Sequence, residues 1–185
     1  ENIDKRKIYA KMNGAVGNYN AHNFVLPNIK WDQETKKFLK KIGLYQNEYT
    51  TQIENHDWLA ESLNDIIIIS GILLDFSKDI WIYIMLDYIK QKNISSEVGS
   101  STMPHKVNPI NFENAEGNLE ILIGICQTVS KKIISSRLQR DLSDSTVLRN
   151  IGLIFAYYHI SVTSIQKGMR KIDLNLDKIN YDIDS

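Results

Sequence analysis

Three stretches of this chain place apolar residues at alternating spacings of three and four, over lengths that only an α-helix accommodates. In the first, residues 57–90, the line is Ile66, Ile69, Leu73, Phe76, Ile80 and Tyr83. Ile68, Ile72, Ile82 and Leu86 carry its apolar surface further round the cylinder. The second starts at Pro109 and steps through Phe112, Ala115, Leu119, Leu122, Cys126, Val129 and Ile133. The third, residues 144–171, carries Leu148, Ile151, Phe155, Tyr158, Val162, Ile165 and Met169. Spacing sustained this long argues for nearly parallel or antiparallel helices packed at shallow angles. The expected fold is all-α, a long-helix bundle. Each helix is apolar over more than a narrow seam, so three cannot cover one another. Other helices are needed, from further chain or from copies of this one. Gly117 and Gly124, two turns apart, offer a face on which another helix could pack closely.

The remainder of the chain is less patterned. Residues 11–20 hold two glycines and three asparagines and read as a turn-rich connection within an irregular stretch, 1–30. Residues 32–41 read as a short exposed helix ended by Gly43, and 49–54 as a polar lead into the first long helix. Only three prolines occur and strong hairpin signals are missing, which again favours helix over sheet. No internal repeat or low-complexity tract is visible. The 22 basic and 22 acidic side chains balance, so charge argues for neither a nucleic-acid nor a membrane-surface partner. A single cysteine, Cys126, allows no intrachain disulfide and suits a reducing compartment. The longest apolar run, 66–74, is broken by Ser70 and Gly71 and is too short to span a bilayer. A soluble, cytoplasmic protein is expected. The chain begins at Glu1, which suggests a processed product or a piece of something longer.

Two clusters call for a chemical reading. Between the first two helices runs Gly99-Ser100-Ser101-Thr102-Met103-Pro104-His105-Lys106-Val107-Asn108-Pro109. Its first four residues are small and mostly hydroxylated, so their backbone amides can approach a ligand closely. Asn108 suits an N-cap and Pro109 the first helical position, where a missing amide costs nothing. The open amides of that turn, with Lys106, would favour an anion. The same residues also suit an ordinary connector. The second cluster runs from Arg137 to Arg149. Ser145 and Arg149 share a helical face, and Arg140 just precedes it. Two guanidinium groups with a hydroxyl suit a phosphate, although a capped helix with solvated arginines accounts for them too.

The Gly-Ser-Ser-x-Met-Pro-x-Lys-x-Asn-Pro pattern, followed by Glu113 four residues after Pro109, resembles the signature of the fumarase/aspartase superfamily of lyases. Within it the chain resembles the bacterial adenylosuccinate lyase family. The segments that carry this are Lys-Met-Asn-Gly-Ala-Val-Gly-Asn-Tyr-Asn-Ala-His from Lys11, Tyr-Thr-Thr-Gln-Ile-Glu from Tyr49, the loop, and Arg-Asp-Leu-Ser-Asp-Ser-Thr-Val-Leu-Arg-Asn from Arg140. Together they span nearly the whole chain.

The resemblance implies anti β-elimination of fumarate from adenylosuccinate, or from the succinyl-carboxamide ribotide of purine synthesis, with no metal or organic cofactor. It implies Ser100 as base, with Lys106 and Asn108 holding the carboxylate that takes up charge, and Ser101 and Val107 as loop contacts. Gln52 and Asn114 become substrate contacts, and Arg140, Ser145, Thr146 and Arg149 the phosphate site. Glu113 becomes the partner of the general-acid histidine. That histidine belongs to a family segment preceding Lys11, and His22, His56, His105 and His159 do not occupy its motif. His105 reads as a loop contact and His159 as packing on its helix. The whole chain, 1–185, then reads as the central-to-late part of the helical domain, without the family's N-terminal domain, early helices or small C-terminal domain. The family's tetramer, whose active sites draw on three subunits, agrees with the uncovered apolar surface. Two other readings stay open: a fumarate-forming relative such as argininosuccinate lyase, fumarase or aspartase, and a non-catalytic scaffold of the same fold.

Overall fold

The computed structural model describes residues 5–92 and 108–184. Helix makes up 63% of it, and the four strands have only two or three residues each, so no sheet among the described residues forms a core. The elements in order are β1 (Tyr9–Ala10), α1 (Asn20–Val25), α2 (Trp31–Lys41), β2 (Tyr45–Gln46), α3 (Asp57–Met85) and β3 (Ile89–Gln91). Then follow α4 (Ile110–Ile133), α5 (Ser143–Leu148), α6 (Ile151–Met169), β4 (Ile172–Leu174) and α7 (Leu176–Asp184). The chain divides into two compact units. One combines Glu1–Ile67 with Ile125–Ile151, the other Ile68–Gly124 with Gly152–Ser185.

Helix α4 is the best match between pattern and structure. All seven residues of its expected stripe are buried, none more than 3% exposed. Glu113 in its first turn and Lys131 and Lys132 in its last complement the helix dipole. Burial pushes the Cys126 thiol up to about 11, so it stays protonated and behaves as a small apolar side chain. The helix opens at Ile110, one residue later than expected: the Pro109 carbonyl accepts the Glu113 N–H, and Asn108 lies before it. A Cβ at Gly117 or Gly124 would meet nothing within 4 Å, so neither supports a close helix contact among the described residues.

The other two stripes differ from expectation. On α3 the buried line is Ala60, Leu63, Ser70, Ser77 and Ile80, while Ile66, Ile69 and Leu73 are half-buried and Phe76 and Tyr83 exposed. On α6 it is Ile154, Ser161, Ser164, Ile165 and Gly168, while Phe155 is 59% exposed and Met169 also faces outward. Small residues share these contact faces with Leu63, Ile80, Ile154 and Ile165. The Ser77 and Ser161 hydroxyls are satisfied inside their own helices, donating to the Leu73 and Tyr157 carbonyls. Large apolar side chains such as Ile68, Ile72 and Ile121 remain in water.

Helix lengths also need correcting. The first long helix ends at Met85, not near 90, because Asp87 adopts φ 61° and the Tyr88 and Asp87 amides fold back onto the Tyr83 and Ile84 carbonyls. Asn175 then ties this turn down, donating from Nδ2 to the Asp87 carbonyl and carboxylate and from its amide to the Tyr88 carbonyl. Strand β3 pairs antiparallel with β4, Ile89 opposite Leu174 and Lys90 opposite Asp173. The expected third helix is two, α5 and α6, broken at Arg149 and Asn150. There the Asn150 side chain donates to the Thr146 and Val147 carbonyls, in competition with the main chain.

In the first unit α2 stops at a Schellman turn, with Gly43 at φ 78° and the Leu44 amide donating to the Leu39 carbonyl. Thr35 and Leu39 are buried, so this helix is less exposed than its sequence suggests. Strands β1 and β2 pair in parallel, Tyr9 opposite Tyr45. Helices α1 and α7 were not foreseen.

In the second unit a Cβ on Gly168 would sit 2.7 Å from the Phe112 ring, which is itself fully buried. Alanine is the better helix former by about 1 kcal/mol, but overpacking against a ring that cannot move costs about 1–3 kcal/mol. Gly168→Ala is therefore expected to lower stability by up to about 2 kcal/mol in urea unfolding, and a gain in stability would show that α4 and α6 yield freely.

Candidate active site

The catalytic loop inferred from the sequence, with Ser100, Ser101, His105, Lys106 and Val107, lies outside the described residues. The remaining candidates fall into two groups, one in each unit.

In the first unit the turn-rich segment and the polar lead into α3 are built against each other. Gly17 sits at φ 84°, and a Cβ there would lie 2.0 Å from the Thr50 carbonyl oxygen, so only glycine fits. Buried Asn13 exchanges hydrogen bonds with the Thr50 hydroxyl at 2.8 and 3.0 Å. The Lys11 ammonium donates to the carbonyls of Gly14 and Gln52, and partial burial pulls its pKa down. The Gln52 amide donates in turn to the Gln139 carbonyl at 3.2 Å, which brings Gln52 beside Arg140. The Gln52 side chain remains exposed.

Arg140 reaches forward to Ser145, donating to its hydroxyl at 3.2 Å, and Ser145 donates to the buried Asp144 carboxylate. The turn carrying Arg140 is held by Asp141. Its carboxylate accepts the Ser143 amide and hydroxyl at 3.0 and 2.8 Å and pairs with Lys132 at 3.1 Å. The Ser143 bonds, backbone first, and then Lys132 hold that carboxyl far below the usual range. Thr146 and Arg149 are both exposed, Thr146 within α5 and Arg149 just after its last turn. Since α5 has only six residues, its dipole adds little, and any anion recognition here falls to guanidinium and hydroxyl donors.

In the second unit the first turns of α4 present Glu113 and Asn114. Glu113 accepts from the Trp81 indole N–H at 3.0 Å. The Asn114 amide donates to the Ser164 hydroxyl at 2.7 Å, and Asn118 donates to the Asn114 side-chain and main-chain oxygens.

The described histidines do other things. His22 lies edge-on to Tyr19 and Trp31. His56 lies at the start of α3, and His159 is exposed on α6 rather than packed. Lys11, Asp141, Trp81 and Ser164 were not singled out in the sequence. Lys11 and Asp141 lay inside the matched segments, whereas no sequence signal pointed to Trp81 or Ser164.

Comparison with known proteins bears on what these groups serve. Residues 1–126 match the lyase family. The chain belongs to that family. Residues 136–185 match the adenylosuccinate lyase C-terminal family. The chain is 52% identical over 176 residues to the adenylosuccinate lyase of Legionella pneumophila (strain Corby). It is 47% identical over 182 residues to that of Escherichia coli (strain K12) and 46% over 183 residues to that of Buchnera aphidicola subsp. Schizaphis graminum. These matches cover 95%, 98% and 99% of this chain, which spans about 40% of the length of each relative. No described helix of this lyase-family chain is long and apolar enough to cross a membrane.

One carboxylate in the matched region fixes the segment that carries Gln52. Glu54 accepts from the His56 amide at 2.7 Å, Asn47 at 2.9 Å and the Trp58 indole at 3.1 Å. Burial alone would raise its pKa, but the bonds from His56 and Asn47 outweigh that and hold it at about 2. Because the folded pKa lies below the usual value of 4.5, this stabilisation is complete above pH 4.5 and is lost as pH falls towards about 2. It is worth on the order of 2–3 kcal/mol. Glu54→Gln should be less stable at pH 7 and lose much of the acid dependence of unfolding between pH 5 and about 2, as measured by denaturant midpoints across that range.

Proposed function

We propose that this chain is the central-to-late part of the helical domain of an adenylosuccinate lyase. Such an enzyme cleaves adenylosuccinate to AMP and fumarate, and the succinyl-carboxamide ribotide to the carboxamide ribotide and fumarate. The observation that supports the reading is the main-chain bond of Gln52 to Gln139, which joins the segment of a proposed substrate contact to the one in which the Arg140 guanidinium donates to the Ser145 hydroxyl. A phosphate needs such donors. Lyases whose substrates carry no phosphate would leave Arg140, Thr146 and Arg149 without work. The relatives' names favour the same branch of the family.

The chemistry follows from the residues assigned. Ser100 takes a proton from the carbon beside a succinyl carboxylate, and the electron pair delocalises into that carboxylate. Lys106 and Asn108 meet the growing negative charge there, with Ser101, Val107 and Asn114 as further contacts, which lowers the barrier. The carbon–nitrogen bond then breaks, and an acid protonates the departing nitrogen. One proton leaves carbon and one joins nitrogen, with no electron carrier, metal or organic cofactor invoked. A serine hydroxyl is a weak base at neutral pH, so the reaction needs exclusion of water and a nearby positive charge to make the alkoxide accessible. Glu113 pairs with the acid, a histidine supplied from outside these 185 residues. The enzyme is proposed to be a cytoplasmic homotetramer with shared sites. The uncovered apolar side chains of α3, α4 and α6, among them Ile72, Ile121 and Phe155, support an assembly of that kind.

The test uses the full-length polypeptide that carries this chain, with fumarate formation followed by absorbance. Ser100→Ala should abolish turnover while substrate still binds, and near-normal turnover would rule Ser100 out. Arg140→Met should weaken AMP binding by about 10–100-fold, the worth of a charge-assisted hydrogen bond, without altering fumarate binding. An equal loss for both ligands would remove the phosphate assignment.

A further inference from the structure

We propose that Trp81 is a positioning residue for the elimination, holding the Glu113 carboxylate in the orientation that its histidine partner requires. This rests on the function proposed above.

Glu113 stands on an exposed part of α4, where an unrestrained glutamate samples many rotamers. Its neighbours in sequence do not. Phe112 is buried against Gly168, where no side chain fits, and Asn114 is bonded to Ser164. The backbone on both sides of Glu113 is therefore fixed by α6, and only the direction of the carboxylate is left to decide. Trp81 decides it. The indole is rigid, has one donor and no acceptor, and lies 3.0 Å from one oxygen, Oε1. That leaves Oε2 with its acceptor capacity for an imidazole N–H. Trp81 is itself placed by its helix, since Ser77 and Ile80 of α3 are buried. Lys78 adds a second link between the same two helices, 3.8 Å from both Glu116 and Glu120. A carboxylate held this way can fix the tautomer and tilt of a catalytic imidazole, whereas a freely rotating one cannot.

The experiment is made in the full-length enzyme with Trp81→Phe, which keeps a ring and removes the N–H. We expect kcat to fall about tenfold, KM for adenylosuccinate to stay within about twofold, and the alkaline limb of the kcat–pH profile to move to lower pH. The limb moves because a loosely held carboxylate supports the imidazolium less. The double variant Trp81→Phe/Glu113→Gln should be no slower than Glu113→Gln alone. An unchanged kcat and pH profile, additive losses, or a lowered Tm without movement of the alkaline limb would each overturn the role. If Trp81→Phe does not fold, the indole N–H resonance of Trp81 in the parent carries the test. It shifts on Glu113→Gln if the bond exists, and an unmoved resonance overturns the proposal. A parent enzyme that forms no fumarate sinks the function and this role together, whereas an active parent with an unaltered Trp81→Phe variant sinks only the role of Trp81.

Discussion

The burial of one face of α4 is the interaction on which both compact units draw. Phe112, Ala115, Leu119, Leu122, Cys126, Val129 and Ile133 are all buried, and each large member contributes about 1.5–3 kcal/mol. That is substantial for a domain whose net stability is of order 5–15 kcal/mol. The same helix supplies groups to each unit. In one, its first turns present Glu113 and Asn114; in the other, Lys132 in its last turn anchors Asp141 and with it the turn that carries Arg140. Polar residues proposed to meet substrate are thus attached to a scaffold held chiefly by apolar burial.

The contacts of α3 and α6 follow a different rule from those of α4. Ser70 and Ser77 lie on the buried face of α3, and Ser161, Ser164 and Gly168 on that of α6. The Ser77 and Ser161 hydroxyls bond back to their own helices, whereas the buried Ser70 hydroxyl finds no hydrogen-bond partner among the described residues. Leu63, Ile80, Ile154 and Ile165 are buried beside them, while other large apolar residues of these helices, such as Ile68, Ile72 and Phe155, face water among the described residues. Large hydrophobes alone therefore did not mark the buried faces of these helices, which small residues share.

The proposed site is assembled by main-chain geometry more than by charge. Gly17 and buried Asn13 lock the turn-rich segment on Thr50, Lys11 spans Gly14 and Gln52, and the Gln52 amide reaches the Gln139 carbonyl. Backbone atoms, which carry no residue identity, take part in most of these contacts, and the Gln52–Gln139 bond between distant segments is made by them alone. The matched segments were legible as motifs, but their meeting was not. Trp81 was less legible still. A tryptophan inside a long apolar helix looks like one more packing residue, and only its distance from Glu113 assigns it a polar duty.

What the amino-acid order determined by itself was the helical class, the buried stripe of α4, the stop at Gly43 and the segments that carry the family likeness. All of these depend on spacing along one helix or on the conformational freedom of a single residue, and both are written locally. Tertiary structure decided which face of α3 and α6 is inside, because packing selects for close approach and not for hydrophobicity alone. It also broke the last long helix at Asn150 and ended the first at Asp87, where side-chain and left-handed backbone bonds outcompete helical ones. Finally it set Gln52 against Gln139 and Trp81 beside Glu113, since such pairings exist only once distant segments are held at hydrogen-bond distance.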